Sequence, residues 1–184
     1  MKTKDILTRK NCILCHSRDL KNAINFGKTP LANSYPKISN KKEEFYRLAI
    51  MLCNQCGHLQ LKDIVSPKKM FDNYLYVTGT SPVLRKHFYE YAKKVVKKFK
   101  LKRKDKILDI ACNDGTFLEF FKKMKFKNVV GIEPAKNLRK INKNKKIEIN
   151  TLFFNRKNSE KIKRKFQQFD IITANHVCAH VENL

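Results

Sequence analysis

Two pairs of cysteines constrain this chain before anything else does. Cys12-x-x-Cys15 and Cys53-x-x-Cys56 stand 37 residues apart in a sequence of 184. Two tight turns, each supplying a pair of thiolates, meet the demand of a tetrahedral zinc ion for four soft donors. The gap is longer than in ordinary zinc ribbons, but doubling a closed loop costs only about 0.6 kcal/mol. Gly57, directly after the second pair, suits a turn whose backbone conformation other residues disfavour. Other uses of the thiols compete with zinc. Disulfides belong to oxidising compartments, and Met1-Lys-Thr-Lys-Asp-Ile6 carries no apolar export segment. Cys12-Ile-Leu-Cys15-His16 also matches a haem-attachment pattern, which leaves the second pair unexplained. Redox work by a single pair calls for a thioredoxin-like context that the flanking residues do not offer. The expectation is structural zinc on Cys12, Cys15, Cys53 and Cys56, with His16 and His58 outside the site. Cys112 and Cys178 are expected to pack as small apolar groups. The metal's work would be folding, because a module of about 80 residues with a thin core gains from a staple.

From Ser81 onward the pattern changes. Ser81-Pro82 reads as a helix start, a hydroxyl cap followed by proline at the first helical position. Leu84, Phe88, Tyr91, Ala92, Val95 and Phe99 then form one apolar stripe, with Lys93, Lys94, Lys97 and Lys98 opposite. Strand signals follow at 106–111, 128–133, 147–154 and 169–174, separated by helical stretches around 117–124, 135–141 and 156–166. This alternation predicts a parallel sheet with crossover helices. Residues 1–80, by contrast, show little sustained periodicity.

Charge narrows the partners less than its size suggests. Lys and Arg number 41 against 16 Asp and Glu, a formal charge of +25. Eight of the basic residues are Arg, and the lysines are spread over nearly every segment. Base readers lean on Arg for its planar fork, so this composition argues against a nucleic-acid partner. An anionic small substrate suits the field equally well. Apolar residues make up 42%, enough for a packed core. The longest apolar run is Leu48–Cys53, far short of the roughly 20 residues that span a bilayer. A cytoplasmic protein without a membrane segment is the expectation.

The first strand of the second half ends Leu108-Asp109-Ile-Ala111-Cys-Asn113-Asp114-Gly115, and a helix begins at once. Such a turn lets a ligand approach the backbone and meet a helix N-terminus. Glu133 ends the second strand, 18 residues after Gly115, where a carboxylate can accept from both hydroxyls of a ribose. A dinucleotide fingerprint would want glycines where Ala111 and Asn113 stand. Asp109 beside the ligand is awkward for a pyrophosphate and suits the cationic, amino-bearing tail of S-adenosylmethionine. The plain alternative for Asp109 is a strand-end acid that caps the turn.

These stretches, in this order, resemble the nucleotide-sugar C-methyltransferases. The resemblance rests on Cys12-x-x-Cys15; Pro30-Leu-Ala-Asn33; Leu52-Cys-x-x-Cys56-Gly-His-Leu-Gln-Leu61; Tyr74-x-Tyr76-Val-Thr-Gly-Thr-Ser81; Leu108-Asp-Ile-Ala-Cys-Asn-Asp-Gly115; Gly131-Ile-Glu-Pro-Ala135; and Asn175-x-Val-x-Ala-His180. It implies an α/β chain in two parts, a zinc-binding module over 1–80 and an incomplete Rossmann-like domain over 81–184 with about four of seven parallel strands. It further implies transfer of the sulfonium methyl of S-adenosylmethionine to a carbon of a nucleotide-linked keto-deoxysugar. Asp109, Asn113, Asp114, Gly115 and Glu133, with Ala111 in the same turn, would hold the cofactor. Tyr76 and His180 would line the sugar pocket, with Thr80 and Ser81 close by. Core packing for Tyr76 and a surface loop for His180 are the competing roles. Members of the family are about twice as long, and their presumed general base lies in a Tyr-His-Glu-His stretch downstream. The expectation is therefore an N-terminal piece without turnover by itself, its fourth strand left with an open edge. A basic zinc-ribbon protein that binds RNA and a non-catalytic module that keeps the cofactor fold are the alternatives.

Overall fold

A computed structural model describes residues 5–35, 43–143 and 145–181. The chain divides into two compact units, 1–71 with 181–184, and 72–180. The boundary therefore lies at 71/72, nine residues before the 80/81 boundary expected from the sequence. The segment 72–80 belongs to the second unit because its backbone is bonded there. Asp72 O accepts from Lys136 N at 3.1 Å, and Tyr74 N donates to Asn137 Oδ1 at 2.9 Å.

The first unit is built from short antiparallel strands. β1 (Ile6–Thr8) pairs with β5 (Asp63–Val65), while β2 (Leu20–Pro30), β3 (Phe45–Cys53) and β4 (Leu59–Leu61) form a second sheet in that order. A short helix, α1 (Pro67–Phe71), follows. Sequence periodicity missed β2 and β3 for a physical reason. β2 has no buried residue, and its register shifts between Asn22 and Ile24 and again between Asn25 and Lys28, which breaks the two-residue alternation. The apolar run at Leu48–Cys53 is the end of β3, where Ala49, Met51 and Cys53 are buried in alternation. Asp63 fastens the two sheets to each other. Its Oδ1 accepts from Arg47 Nη2 at 2.9 Å and from Thr8 Oγ1 at 2.6 Å.

The second unit is the parallel sheet that the alternation predicts. β6 (Lys106–Ile110), β7 (Asn128–Ile132), β8 (Glu148–Asn150) and β9 (Ile171–Ala174) are ordered β8-β7-β6-β9. One face carries α2 (Pro82–Lys98) and α3 (Thr116–Lys123); Phe88, Ala92, Val95, Phe117, Leu118 and Phe121 pack there on Ile107 and Val129. On the other face Ile162 of α5 (Arg156–Phe166) packs with Leu108, Ile110, Val130 and Ile132. The two-residue alternation of β6 and β7 thus sorts their side chains between two helical layers. α2 begins as its sequence predicts, with Ser81 Oγ accepting from Leu84 N at 3.3 Å. A short helix, α4 (Arg139–Lys143), precedes β8. β9 lies at the end of the sheet with Ile172 56% exposed. No helix among the described residues is long and apolar enough to cross a membrane.

Candidate functional site

The four cysteines of the first unit converge. Their Sγ atoms all lie within 4.8 Å of one another, with Cys12–Cys56 at 3.6 Å and Cys15–Cys53 at 3.5 Å. Four sulfurs at about 2.3 Å from a tetrahedral zinc ion sit about 3.8 Å apart, so the donor set fits the metal. The two knuckles share one construction. Cys12 O accepts from His16 N and Cys12 N donates to Ser17 O; Cys53 O accepts from Gly57 N and Cys53 N donates to His58 O. In each, the residue after the second cysteine is left-handed, His16 at φ 60° and Gly57 at φ 74°. His16 is therefore the counterpart of a turn glycine. Gln60, buried on β4, braces the first knuckle by accepting from Ile13 N at 2.8 Å and donating to Asn11 O at 3.0 Å. The N–H of Cys15, ahead of that of Leu14, holds the Cys12 thiol down to about 7 against the cost of desolvation.

The second constellation lies where β6 and β7 end side by side. Their register sets Asp109 against Gly131 and Ile110 against Ile132, which puts Asp109 and Glu133 at the ends of adjacent strands, within reach of each other's charge. Between β6 and α3 the chain turns through Ala111 at φ 55°, Asn113 at φ 53° and Gly115 at φ 71°. The positions that the sequence reading compared with fingerprint glycines do carry left-handed backbone, although alanine and asparagine occupy them. A left-handed alanine costs roughly 1–2 kcal/mol, a strain of the kind kept where a ligand needs the backbone. Glu133 is 6% exposed; Oε2 accepts from Asn113 N at 2.8 Å and Oε1 from Ala135 N at 2.9 Å. Burial raises its carboxyl above the ordinary range, and those two N–H groups oppose the shift. Each oxygen keeps a further lone pair for another donor. Asp109 is 3% exposed, with Thr173 Oγ1 donating to its Oδ1 at 2.7 Å and Asn175 Nδ2 at 3.4 Å. Burial pushes the Asp109 carboxyl up to about 7; Thr173 and Asn175 pull it down, and the charge of Glu133 adds to the rise.

On β8, Asn150 O accepts from Glu133 N at 3.1 Å, and Asn150 Nδ2 is buried with no hydrogen-bond partner among the described residues. An unmet donor on the strand next to that of Glu133, a turn with left-handed backbone at Ala111 and Asn113, and two buried carboxylates fit a nucleoside ligand with a cationic tail. Thr173 and Asn150 were not singled out in the sequence. Thr173 lies opposite Asp109 only through the parallel register of β6 and β9.

Other predicted positions fall elsewhere. Asp114 is buried with Thr116, and Asn113 Nδ2 donates to Tyr76 O at 3.0 Å. Tyr76 is 42% exposed and its ring meets that of Tyr74 edge-on at 6.4 Å, so core packing is not its role. His180 is exposed in a single helical turn, Cys178–His180, outside the buried cluster. Thr80 and Ser81 spend their hydroxyls locally, Thr80 Oγ1 on Val77 O and Ser81 Oγ on the start of α2. Cys112 is buried under Gly131, where a Cβ would lie 2.5 Å from its Sγ. Cys178 is exposed, which corrects the expectation that it packs as an apolar group; its short turn follows the edge strand, where nothing described covers it.

Residues 12–71 match the family described as "Putative zinc binding domain", and residues 83–184 match that described as "Methyltransferase domain". The chain is also similar to the C-methyltransferase NovU of Streptomyces niveus, at 23% identity over 175 residues, 94% of this chain. It spans 41% of that relative's length. Zinc at the four sulfurs and S-adenosylmethionine at the β6–β7 end are the groups these residues suit. Matched over more than half its length, and with these donors in place, the chain belongs to the family of S-adenosylmethionine-dependent methyltransferase domains.

Proposed function

We propose that the intact protein moves a methyl group from S-adenosylmethionine to a carbon of a nucleotide-linked keto-deoxysugar. The observation that carries the cofactor half is the pairing of buried Asp109 and Glu133 around a left-handed turn at the ends of adjacent strands. The sugar half is supported by the family resemblance and by the likeness to a C-methyltransferase. When bound, the cofactor supplies an electrophilic methyl on a sulfonium. Asp109, Ala111, Asn113, Gly115 and Glu133 hold it, with Asp114 keeping the turn in shape. Glu133 offers its remaining lone pairs to ribose hydroxyls, and Asp109 offers a carboxylate to a cationic tail. Tyr76 and His180 serve the sugar side, where a general base of the kind the family carries in its Tyr-His-Glu-His stretch would take the proton from the carbon beside the ketone. A cytoplasmic setting, which keeps thiols reduced, accords with the zinc reading.

Calorimetric titration of the chain with S-adenosylhomocysteine tests this. Binding is expected, and Glu133→Ala is expected to weaken it at least about 30-fold, a loss of about 2 kcal/mol for a buried charge-assisted pair of hydrogen bonds. A wild-type chain that captures RNA in a salt-sensitive way and ignores the cofactor would point instead to the basic zinc-ribbon alternative.

A further inference from the structure

Asp114 stands in the middle of the cofactor turn, yet its carboxylate is engaged by the scaffold. It is 2% exposed, and Oδ2 accepts from Gly79 N at 3.2 Å, Thr116 Oγ1 at 2.8 Å and Lys145 Nζ at 3.0 Å. Oδ1 accepts from Thr116 N at 3.2 Å. Lys145 Nζ also donates to Thr116 Oγ1 at 3.1 Å and lies 3.7 Å from Glu119 Oε2. Its side chain is 16% exposed, against 50% to 67% for Lys93, Lys123, Lys136 and Lys165, which pair at the surface. Asn113 ties down the same stretch, accepting from Thr78 N at 2.9 Å and donating to Tyr76 O at 3.0 Å. Two neighbouring side chains of the turn thus bind three backbone groups of the strap Tyr76–Thr80. Gly79 permits the approach: a Cβ there would overlap Asp114 Oδ2 and lie 2.7 Å from Thr116 Oγ1.

A carboxylate this deeply enclosed is costly unless a charge meets it, and Lys145 brings that charge from a loop 31 residues away. We propose that Lys145 is a positioning residue: by pairing with Asp114 it keeps that carboxylate bonded to Gly79, and so locks the Tyr76–Thr80 strap onto the turn that holds the methyl donor. The positioning role rests on the cofactor reading above; the lock itself does not. It also means that the negative charge the turn presents to a ligand comes from Asp109 and Glu133, with that of Asp114 already neutralised.

Hydrogen exchange on the whole chain, read with and without S-adenosylhomocysteine, tests this in Lys145→Met and Lys145→Arg. In Lys145→Met the amides of 77–80 are expected to exchange roughly tenfold faster while 107–110 stay protected. Cofactor affinity is expected to fall roughly three- to tenfold, and Lys145→Arg to restore both. Unchanged exchange at 77–80 in Lys145→Met overturns the lock. Faster exchange with undiminished affinity overturns the positioning role. A wild type that never takes up cofactor overturns the proposed function instead, a separate result. If Lys145→Met loses protection at 107–110, Gly79→Ala breaks the lock from the strap side without altering charge, and the same rise at 77–80 is expected.

Discussion

In the first unit the fully enclosed side chains include Cys12 and Cys53, two of the four metal-site sulfurs. In the second they include Phe121, Phe126, Ile107, Leu118 and Ile132, apolar groups packed between helices and sheet, together with Leu138 and Thr116. β2, the longest strand of the first unit, buries none of its residues, whereas four of the five in β6 are buried. One unit is organised around a point and the other around a volume. A metal can hold short strands that would not pay for their own order, while a sheet with helices on both faces draws its stability from area. The difference also decides what each can do. The packed unit can hold strained backbone and buried carboxylates because its surroundings over-determine them.

The sharpest way to break this contrast is to remove the metal. Stripping zinc with a chelator, or Cys53→Ser, should abolish exchange protection across β2–β4 while that of β6 and β7 survives. Structural zinc contributes about 10 kcal/mol or more to folding. If both units melt together, they do not fold independently. Phe121→Ala should do the converse. It empties a site closed on all sides and should cost the second unit about 3–5 kcal/mol, with the zinc content unchanged by metal analysis.

Acidity separates the units in opposite senses. Burial lifts Asp109 to about 7, so the folded second unit holds that proton more tightly than the unfolded chain does. The stability contributed by this group is greatest below about pH 4 and declines as pH rises to about 7, levelling off above. In the first unit the bonds from Arg47 lower Asp63, against the cost of its burial. Its contribution is present above the ordinary carboxylate pKa and is lost as pH falls through the lowered value. Denaturant unfolding followed by exchange at β6 should therefore lose part of its dependence between about pH 4 and about pH 7 in Asp109→Asn. An unaltered slope would show that Asp109 does not titrate in that window. The smallest effect concerns strain. Ala111→Gly relieves a left-handed alanine and should stabilise the second unit by about 1 kcal/mol in the same measurement.

Much of this was legible along the chain, unevenly and for identifiable reasons. The knuckles, the cap at Ser81, the helix at 156–166 and the carboxylates at 109 and 133 depend on residues a few positions apart, and local patterns record such things. The strands of the first unit left little trace because bulges shift their register and one strand faces solvent on both sides. Ser81 and Thr80, expected near a sugar, spend their hydroxyls on a cap and a turn. Lys145 had no signal at all: among so many lysines, nothing local distinguishes one that is enclosed from one that is not.

The sequence by itself determined which chemistries were within reach: four thiols in two turns, and a strand-to-helix bend flanked by carboxylates. These follow from short-range spacing, which the covalent chain enforces. Which carboxylate remains for a ligand and which is neutralised by a lysine was decided only in three dimensions. That outcome depends on the register of β6 against β7 and β9, and on a loop brought back across 31 residues, distances over which neighbouring residue types carry no information.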